Sequence, residues 1–305
     1  MLRIIVLLAR RASRSLVRLL LFPIVAYFLL TSRHSRAASV DYLRRALQRE
    51  PTWRDQWKHF FAFAACTLDR LFLLANNHSK IRISATRDAG VVPIATSGRG
   101  CLLVVAHFGS TEVLRFAPRP EPVASGADGG NIVATRATHI KTTILLDRQH
   151  GRMLMQFIEQ LNPEMALDVI DAAERGPALV LKLKEALEVG RMVCVMADRV
   201  ADGEGSVIVN FLSGRAKFSV SPWLLASALR VPVVLGFGVY QGDGTYAAHF
   251  ELFAQEVTLA RGNRTTAITE IAQRYARRLE HYVHLAPYNW FNFYDYWTSD
   301  ASAGH

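Results

Sequence analysis

From Arg82 onward, short apolar segments alternate with amphipathic ones along the 305-residue chain, and this alternation limits the folds open to it. Buried strands separated by amphipathic helices are typical of βαβ units, which cover both faces of a parallel sheet with helices. We therefore predict an α/β fold with a largely parallel sheet flanked by helices. The predicted strands lie near 102–106, 131–135, 168–171, 192–197, 207–211, 232–240 and 246–253. The predicted helices lie near 111–117, 141–160, 177–189, 220–230 and 264–285.

Two loop signals interrupt this pattern. Gly-Asp-Gly at 242–244 stands between two strand-like runs and predicts a hairpin near the end of the domain. The segment Pro118–Gly130 is rich in Pro, Ala and Gly, and we interpret it as a mobile loop that can act as a lid.

The first 36 residues combine basic flanks with a short apolar run, Leu19–Leu30. Seven arginines bracket this run: Arg3, Arg10, Arg11, Arg14, Arg18, Arg33 and Arg36. Its twelve residues form a helix of about 18 Å, shorter than the roughly 30 Å hydrocarbon layer of a membrane. A signal peptide is disfavoured because no small-residue cleavage site follows. We predict a membrane anchor at 1–36, interfacial or barely spanning, whose arginines reach lipid phosphates. An amphipathic helix packed on the protein's own core is the alternative.

Two further parts follow the anchor. Residues 37–80 are predicted to be a helical, membrane-proximal extension, in which Pro51 and Thr52 separate two helices. Residues 81–300 hold the α/β domain. Because half of the residues are apolar, a chain of this length can bury one such core with extensions, and we expect no second catalytic domain.

Cysteines and histidines predict neither a disulfide framework nor a metal site. The three cysteines, Cys66, Cys101 and Cys194, are an odd number, and we expect buried thiols in a reducing compartment. His281 and His284 lie three apart on a predicted helix, where a solvated or packed pair is favoured over metal ligands. No Gly-x-Gly-x-x-Gly or Walker motif occurs, so no cofactor is predicted.

The net charge of +10 predicts an acidic partner, which is a nucleic acid, anionic lipid headgroups or an acidic carrier protein. Positive charge concentrates beside the apolar N-terminal run, and no nucleic-acid-binding motif is present. We therefore predict membrane lipids as partners and no nucleic acid.

The segment Cys101–Glu112 holds the strongest candidate for chemistry. An apolar strand ends on His107, Gly109 breaks the chain, and Glu112 follows in the first turn of a predicted helix. Ligands gather at the carboxyl ends of strands in parallel sheets. We expect an ionised Glu112 to orient His107, which takes a proton from a hydroxyl while helix-terminal N–H groups stabilise an oxyanion. The alternative is a strand-end histidine with a glutamate that serves only the helix terminus.

Three more motifs follow in order along the chain. They are Val133-Ala-Thr-Arg136 ahead of a helix that ends near Arg148-Gln-His-Gly-Arg152, the apolar run Met192–Ala197 closed by Asp198 and Arg199, and Phe211-Leu-Ser-Gly-Arg215 with Lys217 before Pro222.

With His107-x4-Glu112 and the N-terminal apolar helix, these motifs resemble the lipid A biosynthesis acyltransferases, the lauroyl and myristoyl transferases of the lysophospholipid acyltransferase superfamily. The resemblance implies a membrane-bound O-acyltransferase at the cytoplasmic face of the bacterial inner membrane. Such an enzyme moves a fatty acyl group from an acyl carrier protein or CoA thioester to a hydroxyl of a lipid or glycolipid. It implies that His107 is the general base and Glu112 its partner. The substrate-binding residues that it implies are Arg136, Asp198, Arg199, Arg215 and Lys217.

Simpler interpretations of these residues stay open. Arg136 and Asp198 can form a buried ion pair or cap a strand end, and Arg215 and Lys217 can belong to a solvated loop. A thioesterase or lipase is an alternative function, although no Gly-x-Ser-x-Gly elbow occurs. A catalytically idle membrane scaffold that binds acyl carrier protein is another.

The C-terminal segment Pro287–Trp297 departs from the resemblance. Family members that act on lipid A tend to have two arginines here, whereas this chain has Asp295 among aromatic residues. The segment is closer to relatives associated with aryl polyene or xanthomonadin-type pigment lipids. Its aromatic residues predict either packed core, which we favour, or a belt at a membrane interface.

Overall fold

The computed structural model describes residues 14–76, 81–118, 141–146, 151–174, 176–201, 203–260 and 262–298. The strand predicted at 131–135, nearly all of the loop Pro118–Gly130, and Arg136 lie outside the described residues.

The helices, in chain order, are α1 (Arg14–Leu19), α2 (Leu21–Thr31), α3 (Arg33–Leu47), α4 (Trp53–Leu74), α5 (Val91–Ser97), α6 (Glu112–Arg115), α7 (Arg152–Leu161), α8 (Pro163–Ala166), α9 (Pro177–Glu188), α10 (Ser221–Leu229) and α11 (Arg264–Leu285). The strands, in chain order, are β1 (Arg82–Arg87), β2 (Cys101–Val105), β3 (Thr142–Leu146), β4 (Val169–Asp171), β5 (Met192–Met196), β6 (Ser206–Phe211), β7 (Gly214–Ser219), β8 (Val233–Gly242) and β9 (Thr245–Ala254).

The predicted, largely parallel sheet is confirmed. Seven of the described strands form one sheet in the order β1-β9-β8-β2-β5-β3-β4, and the neighbouring strands are parallel except for β8 and β9. All five residues of the central strand β2 are buried, as expected for a strand covered on both faces. Strands β6 and β7 form a separate antiparallel pair.

The hairpin predicted at 242–244 is confirmed as the turn between β8 and β9. Gly242 and Gly244 have φ angles of 104° and 68°, which glycine adopts without steric cost, and Asp243 between them has a φ of 43°. A Cβ on Gly244 would lie 2.7 Å from Cζ of Arg14, so this turn is also where α1 approaches the sheet.

The helix predicted at 141–160 is wrong in its first half. Thr142–Leu146 is strand β3, which pairs with β5 and β4, and helix α7 begins only at Arg152. The first three residues of β3 are β-branched and therefore favour a strand over a helix. The sequence pattern also missed β1, β7 and α5.

Pro51 and Thr52 separate two helices, as predicted. The hydroxyl of Thr52 accepts from the backbone N–H of Asp55, and the Asp55 carboxylate accepts from the backbone N–H of Thr52 at 2.7 Å. This reciprocal capping box fixes the start of α4.

Buried polar contacts fasten α1 to α4 and to the hairpin. The Arg14 guanidinium donates to both carboxylate oxygens of Asp69, at 2.5 and 2.8 Å, and the Tyr246 hydroxyl donates to Asp69 at 2.8 Å. Arg18 forms an ion pair with Asp243 in the hairpin turn. The expectation that the N-terminal arginines reach lipid phosphates is therefore wrong for Arg14, because Asp69 binds it inside the protein.

The outer face of α1 and α2 is apolar and exposed. Its exposed side chains are Leu16, Leu19, Leu20, Phe22, Ile24, Tyr27, Phe28 and Leu30. By length and composition, Arg14–Thr31 is the one helical stretch in the described part of the chain that can cross a membrane. Only 17% of it is buried, although signal sequences and some core helices meet the same criterion, so the stretch is weak evidence for an anchor.

Replacing Arg14 by leucine leaves the Asp69 carboxylate buried without its cation. Removing one partner of a buried pair costs about 3–5 kcal/mol, so Arg14→Leu should lower the free energy of unfolding by about that amount in denaturant titrations. The double variant Arg14→Leu/Asp69→Leu should recover part of the loss, because no unpaired charge remains. Arg54→Leu, at an exposed position on α4, is the control. Equal stability of Arg14→Leu and the wild type would contradict a buried ion pair.

Candidate functional site

Two neighbouring parallel strands bring His107 and Asp198 together. The register of β2 and β5 pairs Val105 with Met196, so both residues leave the same edge of the sheet two positions later. Nδ1 of His107 lies 3.0 Å from Oδ1 of Asp198, and the backbone N–H of His107 donates to Oδ2 at 3.0 Å. Two of the predicted site residues are thus in direct contact.

Asp198 is a fully buried carboxylate with a second side-chain donor. The indole N–H of Trp290 donates to Oδ2 at 2.9 Å, and the Tyr296 hydroxyl donates to the Asp198 carbonyl at 2.6 Å. Burial raises the pKa of the Asp198 carboxyl, but the charges of His107 and Arg199 and the hydrogen bonds outweigh burial and lower this pKa to about 2. Asp198 is therefore ionised at neutral pH.

An ionised Asp198 fixes the tautomer of His107. Because a carboxylate only accepts hydrogen bonds, the neutral ring carries its proton on Nδ1 and its lone pair on Nε2. The His107 side chain is 33% exposed and lines a cavity of about 230 Å³. Nε2 is the nitrogen left to take a proton from a hydroxyl bound in that cavity.

Glu112 does not occupy the predicted place beside His107. Its Oε1 lies 2.8 Å from Nε of Arg70 on α4, and the hydroxyls of Ser110 and Thr111 donate to its Oε2 at 3.3 Å. The carboxylate at Nδ1 of His107 is Asp198, so the prediction that Glu112 orients the imidazole is corrected. Glu112 instead forms an ion pair with a cation on the cavity wall.

The turn before α6 explains this orientation. Gly109 has a φ of 56°, and a Cβ at this position would lie 1.9 Å from the carbonyl oxygen of Gly238. The N–H groups of Gly109 and Ser110 donate to the carbonyls of Asn289 and Gly238. These bonds fix the turn and direct Glu112 toward α4. Because the N–H groups of Gly109 and Ser110 already donate to these carbonyls, they do not form the oxyanion hole that the sequence predicts near the start of the helix.

Two arginines line the cavity together with His107. Arg199, a predicted site residue, donates to the carbonyl of Phe291 at 2.6 Å, and its guanidinium lies 5.2 Å from the centre of the Tyr294 ring. Arg70 was not predicted, because it belongs to a helix whose apolar stripe gives no sign that one polar residue faces the sheet edge. The cavity therefore combines a base with two cations.

Arg215 and Lys217 lie away from this cavity. Both are exposed on β7, whereas the alternate residues Ala216 and Phe218 are buried. Since side chains alternate between the two faces of a strand, both cations project to solvent. The structure does not bring them to His107, and their role in holding a phosphate stays a prediction. Arg136 lies outside the described residues.

A buried network that the sequence analysis missed holds Trp290 in place. The Trp290 carbonyl accepts from Nε2 of His59 at 2.9 Å, and the Ser39 hydroxyl lies 2.8 Å from Nδ1 of the same ring. Burial lowers the pKa of His59 to about 4, so the ring is neutral at physiological pH. Trp290 and Tyr296 are buried, so these aromatic residues belong to the core, as favoured.

The three cysteines are free thiols, as predicted. Burial raises the pKa of the Cys101 and Cys194 thiols to about 12, which keeps both protonated. Among the described residues, no group of three or more His, Cys, Asp or Glu side chains is arranged to hold a metal ion.

Comparison with known proteins identifies a family over the second half of the chain. The sequence model described as bacterial lipid A biosynthesis acyltransferase matches residues 132–299. The match includes Asp198, Arg199 and Trp290 and begins after His107 and Glu112. No curated protein matches the chain.

The low pKa of Asp198 predicts a defined pH dependence of stability. Because the folded pKa of about 2 lies below the ordinary value of 3.8, the stability that this carboxylate contributes is present above about pH 4 and is lost as the pH falls toward 2. The loss amounts to about 2 kcal/mol. Asp198→Asn does not titrate, so the difference in free energy of unfolding between wild type and variant should shrink over this range. A difference independent of pH would contradict an ionised, buried Asp198.

Proposed function

The chain belongs to the bacterial lipid A biosynthesis acyltransferase family, whose match covers 168 of 305 residues, and is an acyltransferase, in which we propose that His107, oriented by Asp198, is the general base. The reaction is transfer of a fatty acyl group from a thioester to a hydroxyl of a lipid acceptor. The observation that carries the proposal is the contact of a buried, ionised carboxylate with an imidazole that is one-third exposed and lines a cavity.

The chemistry follows from the tautomer of His107. Nε2 takes the proton of the acceptor hydroxyl, and the oxygen attacks the carbonyl carbon of the thioester. Asp198 stabilises the imidazolium that forms. When the tetrahedral intermediate collapses, the C–S bond breaks and the imidazolium returns the proton to the leaving sulfur. The products are an acylated lipid and a free thiol.

Arg70 and Arg199 supply positive charge on the wall of the same cavity. We assign them to anionic groups of the substrates or to the negative charge that develops on the carbonyl oxygen. Glu112 takes the role of a positioning residue that keeps the Arg70 guanidinium at the wall. Glu112 thus remains part of the proposed site, with Arg70 as its partner in place of His107.

The net charge of the chain and its exposed apolar face support an acyl donor and a location at the membrane. A net charge of +10 suits an acidic acyl carrier protein as the donor, with CoA as the alternative thioester. The proposed transfer from a thioester uses no further cofactor. The exposed apolar face of α1 and α2 supports attachment to a membrane, at the cytoplasmic face of the bacterial inner membrane, where such thioesters are found.

Aromatic side chains favour an acceptor that is apolar near its hydroxyl. Phe63, Phe291, Phe293 and Tyr294 line the cavity, and the neighbouring Asp295 is exposed. This wall supports a pigment-type lipid better than a bisphosphorylated sugar as the acceptor. Family membership argues against the catalytically idle scaffold, and release of free fatty acid without an acceptor would favour a hydrolase.

Substitution of the two contacting residues tests the proposal. The full chain is incubated with acyl carrier protein thioester and a membrane lipid extract, and both the free thiol and the acylated lipid are measured. His107→Ala should lower kcat about 10²–10⁴-fold, the usual contribution of a general base. Asp198→Asn should lower kcat by about the same factor, because asparagine does not hold the His107 ring in the tautomer with its proton on Nδ1. His281→Ala and Asp295→Asn, both exposed, are the matched controls. Turnover by His107→Ala at the wild-type rate would remove this residue from the mechanism.

The Glu112 and Arg70 pair is tested by a double-mutant cycle. Glu112→Gln and Arg70→Gln are each expected to lower kcat/KM about 10-fold or more, because the loss of either partner releases the other. The double variant should lose no more than the worse single variant, since residues in one network are not additive. Additive losses would show that Glu112 acts independently of Arg70.

A further inference from the structure

A second, larger cavity lies between the N-terminal helices and α4. This groove has a volume of about 640 Å³, within the range of roughly 300–1,000 Å³ that is usual for ligand sites. Leu21, Val25 and Phe28 line it from α2, and Ala64 and Leu68 from α4. Its polar lining side chains are the hydroxyls of Ser32, Ser35 and Thr67, and no charged side chain of the described residues lines it. Such a lining suits an uncharged chain of methylene groups.

The groove adjoins the His107 cavity. Phe63, Thr67 and Phe293 line both. The Phe63 ring lies 5.3 Å from the ring centres of both Phe291 and Phe293, so aromatic side chains lie at the boundary between the two. An apolar chain in the groove therefore lies beside the cavity that His107 lines.

The groove is open on the exposed apolar face of the N-terminal helices. Leu20, Ile24 and Phe28 line it and are themselves 53%, 45% and 49% exposed. On α4 it follows one face from Phe60 to Phe72, which is about 18 Å of helix. A ligand can therefore enter sideways from the surface that we assign to the membrane.

We propose that this groove binds an alkyl chain of the membrane lipid acceptor and so brings the hydroxyl of that lipid to His107. The inference rests on the proposed function, because it takes a lipid hydroxyl as the acceptor. A donor thioester on a soluble carrier arrives from water, whereas the groove opens on the apolar surface, and this difference assigns the groove to the acceptor.

The energetics of entry determine which variants are informative. A chain that leaves the bilayer core for the groove exchanges one apolar environment for another, so the hydrophobic effect contributes little to selection. Fit then decides occupancy, because an overfilled groove excludes the chain. Filling substitutions are therefore better tests than truncations. Ala64→Trp fills the groove from α4, and Ser35→Phe fills it from α3. Ala178→Trp, exposed on α9, is the matched control.

The experiment uses the full chain in phosphatidylethanolamine and phosphatidylglycerol vesicles that contain hexadecanol with a photoreactive diazirine in its chain. After irradiation, labelled residues are mapped by mass spectrometry. We expect labelling of Leu68 and Leu71 in the groove to fall at least fivefold when excess unlabelled hexadecanol competes. Labelling of Tyr27 and Leu30, which are exposed and lie outside the groove lining, reports bulk lipid and should not fall.

Ala64→Trp and Ser35→Phe should lose the competed labelling, and Ala178→Trp should keep it. If one filling variant does not fold, the other variant and the competition experiment on the wild type still test whether the groove binds the alkyl chain. Groove labelling that no competitor reduces, or that both folded filling variants retain, would overturn the inference. His107→Ala should retain the labelling, while its acyl transfer in the thioester assay falls about 10²–10⁴-fold. If the wild type shows competed groove labelling but no acyl transfer in the thioester assay, only the proposed function fails. If it transfers acyl groups but shows no competed groove labelling, only the inference about the groove fails.

Discussion

A negative charge buried at Asp198 is stable only while its donors stay in place. Moving a carboxylate out of water costs several kcal/mol unless hydrogen bonds and an opposite charge replace its hydration. Here the replacement comes from both N–H groups of His107 and from the indole of Trp290. The same bonds that stabilise the charge hold the imidazole, so the stability of the fold and the geometry of the site depend on one set of contacts.

This dependence joins distant parts of the chain. Strands β2 and β5 bring His107 and Asp198 together, the C-terminal segment supplies Trp290, and the helical extension supplies His59, which donates to the Trp290 carbonyl. Helix α4 also contributes Arg70 and one wall of the apolar groove. A helix that the sequence presents as a membrane-proximal extension therefore forms part of the site. This arrangement suits the proposed reaction, because His107 lies between the strand ends and the apolar surface.

Much of the fold and part of the site could be predicted from the sequence. Wholly apolar runs such as Cys101–Val105 predict buried parallel strands, and His107 and Asp198 each follow such a run, which is enough to place both at the carboxyl edge of the sheet. The sequence does not show which strands are neighbours. The sequence therefore indicates the nearby residue Glu112 as the partner of His107, although the φ angle of Gly109 and the position of Arg70 direct it elsewhere. The sequence predicts a helix over Thr142–Leu146 because local periodicity does not reveal the pairing of this segment with β5. Trp290 lies in an aromatic run in which packing residues and hydrogen-bond donors have the same appearance.

The position of the proton on the His107 ring decides whether Asp198 orients this residue as a base. NMR of the ring nitrogens in the isotopically labelled full chain, at a pH where the imidazole is neutral, distinguishes the two tautomers. We predict a protonated Nδ1 bonded to Asp198 and an unprotonated Nε2, with this preference lost in Asp198→Asn. A neutral wild-type ring with its proton on Nε2 would contradict the assignment of Asp198 as the residue that prepares His107 to act as a base.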